Sequence, residues 1–375
     1  MKKKLGEIFE IGSGGTPSKS HPEYYGGDIP WVKTGDLKAE YLYEVEDYIT
    51  EDGLNNSSAK MYDVDTVLIA MYGATIGATS ILKFPACTNQ ACAAFRKSKE
   101  VLPEYLYYFL RSKKAQFVKD GVGGAQPNIS ARYLKKVEME ILSKNEQQAV
   151  VDALDKVAGI IAYRQQELQK LDDLIKARFV EMFVGKDYPL VPLDDLSLGK
   201  GEYGAQSAST EYVPGRPRYV RITDINDDGS LNDDVVSSAN IEDDEQYKLS
   251  YGDFMFARMG ATVGKTYAYK TGNQIFAGYL IRYRLNLEKI IPEYLYAYTR
   301  LDEYKSWVLL NQSGAAQPGI NAKKYGSLQI PVAPLTEQTA FENFVKQVDK
   351  SKFEVQKSLD EAQLLFDSLM QEYFG

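Results

Sequence analysis

The chain repeats itself, and that constrains its fold more than any other property. Trp31-Val32-Lys33-Thr34-Gly35-Asp36-Leu37 aligns with Tyr219-Val220-Arg221-Ile222-Thr223-Asp224-Ile225 at an offset of 188. Gly73-Ala74-Thr75-Ile76-Gly77 aligns with Gly260-Ala261-Thr262-Val263-Gly264 at 187. Pro103-Glu104-Tyr105-Leu106-Tyr107 returns intact as Pro292-Glu293-Tyr294-Leu295-Tyr296. Gly124-Ala125-Gln126-Pro127 returns as Ala315-Ala316-Gln317-Pro318, and Glu146-Gln147 as Glu337-Gln338, both at 191. Five blocks in one order define two copies of a single unit, since self-similarity at a fixed period marks a duplicated architecture.

Each copy has two unlike parts. Residues 1–142 and 184–332 are rich in Gly, Tyr and β-branched residues. There, Val64–Ala70 and Asp253–Arg258 read as strands, and Pro103–Leu110 and Pro292–Thr299 as helices opening on proline. The stretches within 143–183 and 333–375 hold long runs of Glu, Gln, Lys, Leu and Ala, which predict one unbroken helix each. A three-and-four spacing gives a seam of Leu154, Val157, Ile161, Leu168, Leu171 and Ile175 in the first. Val345, Val348, Val355, Leu359, Phe366 and Leu369 form it in the second. A helix lying only on its own domain's core is the simpler alternative, but one of about 58 Å overhangs such a domain. The expectation is therefore two long helices paired antiparallel.

Composition closes off several chemistries. With one histidine, His21, in a Ser/Gly/Pro-rich loop, a His-rich zinc site is excluded and the expected role is none. Cys87 and Cys92 make no disulfide framework, and no apolar run reaches membrane-spanning length. A cytoplasmic address and no membrane contact are expected. There is no Pro-Pro for a methyltransferase loop and no Gly-x-Gly-x-x-Gly. Gly264-Lys265-Thr266 lacks the earlier glycine of a phosphate loop, Met259 standing in its place. No catalytic residue, metal or cofactor is expected in this chain.

Two similar domains at a fixed separation suit a two-part, rod-like target, and half-site spacing on duplex DNA is such a readout. The order Trp-Val-Lys-Thr-Gly-Asp-Leu, Tyr-Gly-Ala-Thr-Ile-Gly, Pro-Glu-Tyr-Leu-Tyr, Gly-Gly-Ala-Gln-Pro-Asn-Ile-Ser and a long helix opening on Glu-Gln resembles the specificity subunit of type I restriction–modification systems. The resemblance implies an α+β fold class. Two pseudo-symmetric mixed α/β target recognition domains (1–142 and 184–332) would be joined by two long antiparallel coiled-coil helices, a dumbbell. It also implies the partners: double-stranded DNA, two methyltransferase subunits and motor-nuclease subunits. A structural adaptor that binds proteins without DNA is the alternative class. A stand-alone nuclease or methyltransferase is a third, opposed by the missing motifs.

The net charge of −8 is unevenly carried. Residues 1–142 are neutral, and Asp224–Glu245 holds nine acidic residues with no Lys or Arg. That stretch is expected to be a solvated loop pointing away from phosphate. Candidate DNA contacts are Lys33, Thr34, Tyr72, Thr75 and Gln126 in the first copy. In the second they are Arg221, Thr223, Arg258, Thr262, Lys265 and Gln317. Both glutamines suit adenine, yet their presence in both halves favours a structural cap for the Gly-rich turn, since readers of different half-sites should differ where they touch bases. Residues that differ between halves, such as Tyr72 against Arg258 and Ala78 against Lys265, are expected to carry specificity.

Overall fold

A computed structural model of the chain describes residues 1–121, 128–314 and 318–375. It divides into two units, each built from non-contiguous sequence: Met1–Arg164 with Ser358–Gly375, and Gln165–Lys357.

The first unit holds a five-stranded sheet in the order Ile11–Ser13, Cys92–Phe95, Val67–Ala70, Thr79–Leu82, Tyr41–Leu42. The strands are antiparallel except the last pair. Val67–Ala70 and Cys92–Phe95 are buried throughout, which explains why they read as continuous apolar runs rather than alternating ones. The second unit repeats the arrangement with Glu202–Tyr203, Leu280–Arg284, Asp253–Ala257 and Thr266–Ala268. A short parallel pairing accompanies each sheet. It joins Trp31-Val32 to Cys87-Thr88 in one unit and Arg218–Val220 to Gln274–Phe276 in the other.

Helices Pro103–Ser112 and Pro292–Tyr298 start on proline, whose missing N–H costs nothing in a first turn. The long helices run Lys144–Phe183 and Leu335–Phe374, forty residues each. In the first unit the start of the first helix (Val150, Val151, Leu154, Val157) shares a core with the end of the second (Phe366, Phe374). In the second unit the end of the first helix (Phe179, Phe183) shares a core with the start of the second (Phe341). Within each unit, the helix segments therefore pair antiparallel and also cover the domain's core. Helix length alone does not reveal this second role.

None of the twelve seam residues named from the sequence is exposed. The aromatic ends were missed. The Phe374 ring packs tilted against Tyr105, centroids 5.2 Å apart, and Phe183 lies 4.9 Å from the matching Tyr294. A heptad count does not separate an aromatic that meets a neighbouring helix from one that plugs a domain core.

The repeated glutamines that open the long helices are fully buried. Gln147 accepts from the Leu102 N–H at 2.8 Å and donates to the carbonyls of Glu100 (2.8 Å) and Leu142 (2.9 Å). Gln338 accepts from Ile291 N–H at 2.9 Å and donates to Lys289 (3.1 Å) and Ala333 (2.7 Å). Each amide meets the chain just before the proline-opened helix and satisfies groups that burial would otherwise leave unpaired.

Candidate nucleic-acid interface

The strand ending at Val32 passes into a single 3-10 turn, Thr34–Asp36, and its repeat passes into Ile222–Asp224. The turn needs a carboxylate at its third position. Asp36 accepts from the Lys33 N–H at 2.7 Å, and buried Asp224 accepts from the Arg221 N–H at 2.9 Å. The basic side chains ahead of it are already engaged. Lys33 pairs with Asp47, which raises the ammonium above its ordinary range, and sits 5.9 Å from the Trp31 ring centroid. The Arg221 guanidinium wraps back onto Asp224 at 2.8 Å and onto the Val235 carbonyl at 3.1 Å. Thr34 is half-buried; Thr223 is exposed and donates to Asp224 at 3.2 Å.

The Gly-Ala-Thr blocks are 3-10 turns, Gly73–Thr75 and Gly260–Thr262. Thr75 donates to the Tyr72 carbonyl and Thr262 to the Met259 carbonyl, both at 3.2 Å, so both hydroxyls brace their own turn. Gly77 and Gly264 follow in the left-handed region (φ +81° and +88°). A Cβ there would lie 2.8 Å from Lys114 Cγ and 2.7 Å from Val308 Cγ1, so glycine is required on both counts.

The pairing of Tyr72 with Arg258 across the repeat is corrected. Tyr72 bridges Asn128 just as Met259 bridges Gly319. Ile129 N–H donates to the Met71 carbonyl at 3.0 Å, and Ile320 N–H to that of Arg258 at 2.9 Å. Tyr72 therefore corresponds to Met259, and Arg258 to buried Met71.

The acidic stretch carries solvent-exposed carboxylates, and three of them also reach basic side chains of their own domain. Asp227 pairs with Lys265 at 2.7 Å, Asp233 with Arg218 at 2.5 Å, and Glu245 with Lys248 at 2.6 Å. Lys265 also donates to the Ile225 carbonyl at 3.2 Å. Hydrogen bonding to Lys265 holds the Asp227 carboxyl below its usual range. Arg300 braces this loop through the Asp227 carbonyl (3.2 Å) and Thr266 (3.0 Å), lying over Tyr296, whose hydroxyl donates to the Asp228 carbonyl. The repeat keeps the couple as Arg111 over Tyr107. The sequence signal for this couple is the arginine four residues after the second tyrosine of each Pro-Glu-Tyr-Leu-Tyr block.

Arg258 differs from the other cations. Its guanidinium lies 4.8 Å above the Tyr203 ring and, among the described residues, reaches the Gly278 carbonyl alone, at 3.4 Å. Gln126 and Gln317 lie outside the described residues. His21 is a half-exposed side chain at 2.8 Å from Glu23. Cys87 and Cys92 are free and buried, and burial pushes the Cys87 thiol up to about 12. Among the described residues no His/Cys/Asp/Glu group suits a metal ion, and no helix is long and apolar enough to cross a membrane.

Comparison with known proteins completes the picture. The family described as type I restriction modification DNA specificity domain matches residues 1–173 and again 187–363. The chain is 33% identical over 187 residues to the type I restriction enzyme MjaIX specificity subunit of Methanocaldococcus jannaschii, covering 48% of this chain and 43% of that protein. It is 31% identical over 160 residues to the EcoR124I/EcoR124II specificity subunit of Escherichia coli, covering 41% of this chain and 40% of that one. Each match thus spans less than half of the curated relative. In fold, it resembles the type I restriction–modification S subunit from M. genitalium, with TM-score 0.57 and 16% identity, over 100% of this chain and 96% of that one. It also resembles a chain solved in work on complex assembly and conformational transition of the type I R–M system. There the TM-score is 0.62 at 16% identity, over 100% and 97% of the two chains. Matched by one family twice along nearly its whole length, on two copies of one α/β scaffold, the chain belongs to the type I restriction–modification DNA specificity family.

Proposed function

We propose that this chain is the non-catalytic DNA-reading subunit of a type I restriction–modification complex. It recognises a two-part site on double-stranded DNA, one part per mixed domain, and docks two methyltransferase subunits and motor-nuclease subunits that carry the catalysis. One observation carries this reading. The Lys/Arg–x–x–Asp turn and the Gly-Ala-Thr turn follow equivalent strands in both units, while side chains beside them differ: Met71 against Arg258, Ala78 against Lys265. Shared turns with divergent flanks are what two readers of different half-sites require, because phosphate contacts position a protein while base contacts specify. The domains for this purpose are residues 1–142 and 184–332, with 143–183 and 333–375 as spacer helices.

The test is methylation mapping of DNA from cells that carry this chain with its methyltransferase. A bipartite motif with a fixed gap is expected. Methylation without sequence preference, or an assembly whose stability DNA leaves unchanged, would replace this reading with that of a protein adaptor.

A further inference from the structure

Among the basic residues beside the two repeated turns, three are committed to carboxylates of their own domain: Lys33 to Asp47, Arg221 to Asp224 and Lys265 to Asp227. Arg258 has no ion-pair partner among the described residues. It is held instead by the half-exposed Tyr203 ring, 4.8 Å from its guanidinium carbon to the centroid, and by a long hydrogen bond from Nη1 to the Gly278 carbonyl at 3.4 Å. Tyr203 is itself fixed, since its hydroxyl accepts from the Ala322 N–H at 3.2 Å and its backbone pairs with Ile281. Arg258 borders an open recess of about 180 Å³ that Met259, Ser313, Gly319, Ile320 and Asn321 complete.

This arrangement belongs to one half only. Cys92 pairs with Ala70 as Leu280 pairs with Ala257, so Ala93 matches Ile281. Ser13, paired with Ala93, therefore stands where Tyr203 stands, and Met71 where Arg258 stands. The first domain has neither the guanidinium nor the ring beneath it.

We infer that Arg258, stacked on Tyr203, is a specificity-determining residue of the second domain that reads a guanine edge. The inference rests on the DNA-reading function proposed above. A guanidinium whose face is covered by an aromatic ring keeps its planar N–H fork available, and that fork matches the two acceptors, O6 and N7, of guanine in the major groove. Tyr203 is the positioning residue: it sets the plane of the fork and need not touch DNA.

The full chain, assembled with its methyltransferase subunits, is used to select from a randomised duplex library, and the bound pool is sequenced. Wild type is expected to select two half-sites, one with a guanine that Arg258→Ala alone makes degenerate, with at least about 10-fold loss of discrimination there. Arg258→Lys, which keeps the charge but not the fork, should leave that position degenerate. Tyr203→Phe should retain the guanine and Tyr203→Ala should weaken it, with thermal melting of all four variants near wild type. An unchanged motif in Arg258→Ala overturns the inference and leaves the function standing. So does a uniform loss of affinity at every position with a smaller salt dependence, which marks a phosphate contact. If wild type selects no motif at all, the DNA-reading function itself fails.

Discussion

Lys265 and Asp227 form an ion pair at 2.7 Å between the residue that follows the second Gly-Ala-Thr-Val-Gly turn and the start of the acidic stretch. Asp227 is almost fully solvent-exposed, while Lys265 is mostly covered, so the carboxylate sits on the outside of the pair. A phosphate that approaches Lys265 from solvent competes with Asp227.

Asp227→Asn is accordingly expected to raise the chain's affinity for duplex DNA several-fold. It should also steepen the fall of log K with log salt by about one counterion. Anisotropy titrations between 50 and 200 mM salt, which span about this range of screening, read both quantities. Identical slopes for the variant and the parent would show that Lys265 never meets the backbone.

Gln147→Ala leaves the Leu102 N–H and the carbonyls of Glu100 and Leu142 without their amide partner, and Gln338→Ala does the same for Ile291, Lys289 and Ala333 in the other unit. Each should cost about 2–3 kcal/mol, the range for orphaned buried polar groups. The units hold one tryptophan each, Trp31 and Trp307, so denaturation monitored in a Trp31→Phe or Trp307→Phe background reports one unit at a time. A Gln147→Ala transition that coincides with its parent's would refute the latch.

Arg282 is 2% exposed and serves Glu202, buried Asp253 at 3.6 Å, and the carbonyls of Lys248 (2.8 Å) and Gln246 (3.1 Å). Arg282→Met leaves Asp253 buried without a cation, and a loss of about 3–5 kcal/mol is expected. Adding Asp253→Leu should recover much of it. If the double variant is no more stable than the single one, the pair is not the source of the effect.

Acid should weaken the first unit partly through Asp65. Hydrogen bonds from Lys83 (2.9 Å) and Lys97 (3.1 Å) hold its carboxyl below the usual range. A lowered carboxyl contributes stability above the unfolded value of about 4, and loses it as pH falls through the folded value. Asp65 is one-quarter exposed and screened, so the contribution is under about 1 kcal/mol. Asn tolerates its left-handed backbone (φ +67°). Stability curves for Asp65→Asn should therefore flatten relative to wild type as pH falls below about 4. A variant that keeps the parent's slope would assign it to other carboxylates.

Particular residues show why some of this was legible in the sequence. The long helices could be read because forty residues without proline leave only one regular conformation that satisfies the backbone, and their seam follows from side-chain spacing alone. The two turns were visible as repeats because their roles are local: Asp36 and Asp224 each cap a donor three residues back. Pairings set by tertiary folding left no such trace. Nothing near Lys265 announces Asp227, and nothing near Arg258 announces Tyr203. The 187 offset of the Gly-Ala-Thr block already sets Met71, not Tyr72, opposite Arg258, and the hydrogen bonds of Ile129 and Ile320 agree with it.

Leu5 and Phe374 belong to one hydrophobic core. A ribosome that has finished the first mixed domain has therefore not yet made the aromatic side chains that close it. Until Phe366 and Phe374 emerge, Tyr105, Tyr108 and Phe109 keep an uncovered face through the synthesis of the whole second copy. The second unit waits far less, since Phe179 and Phe183 precede it in the chain and Phe341 follows soon after it. Synthesis order thus favours completion of the downstream unit first, and a nascent chain is most exposed to aggregation or to capture by a partner at its oldest domain.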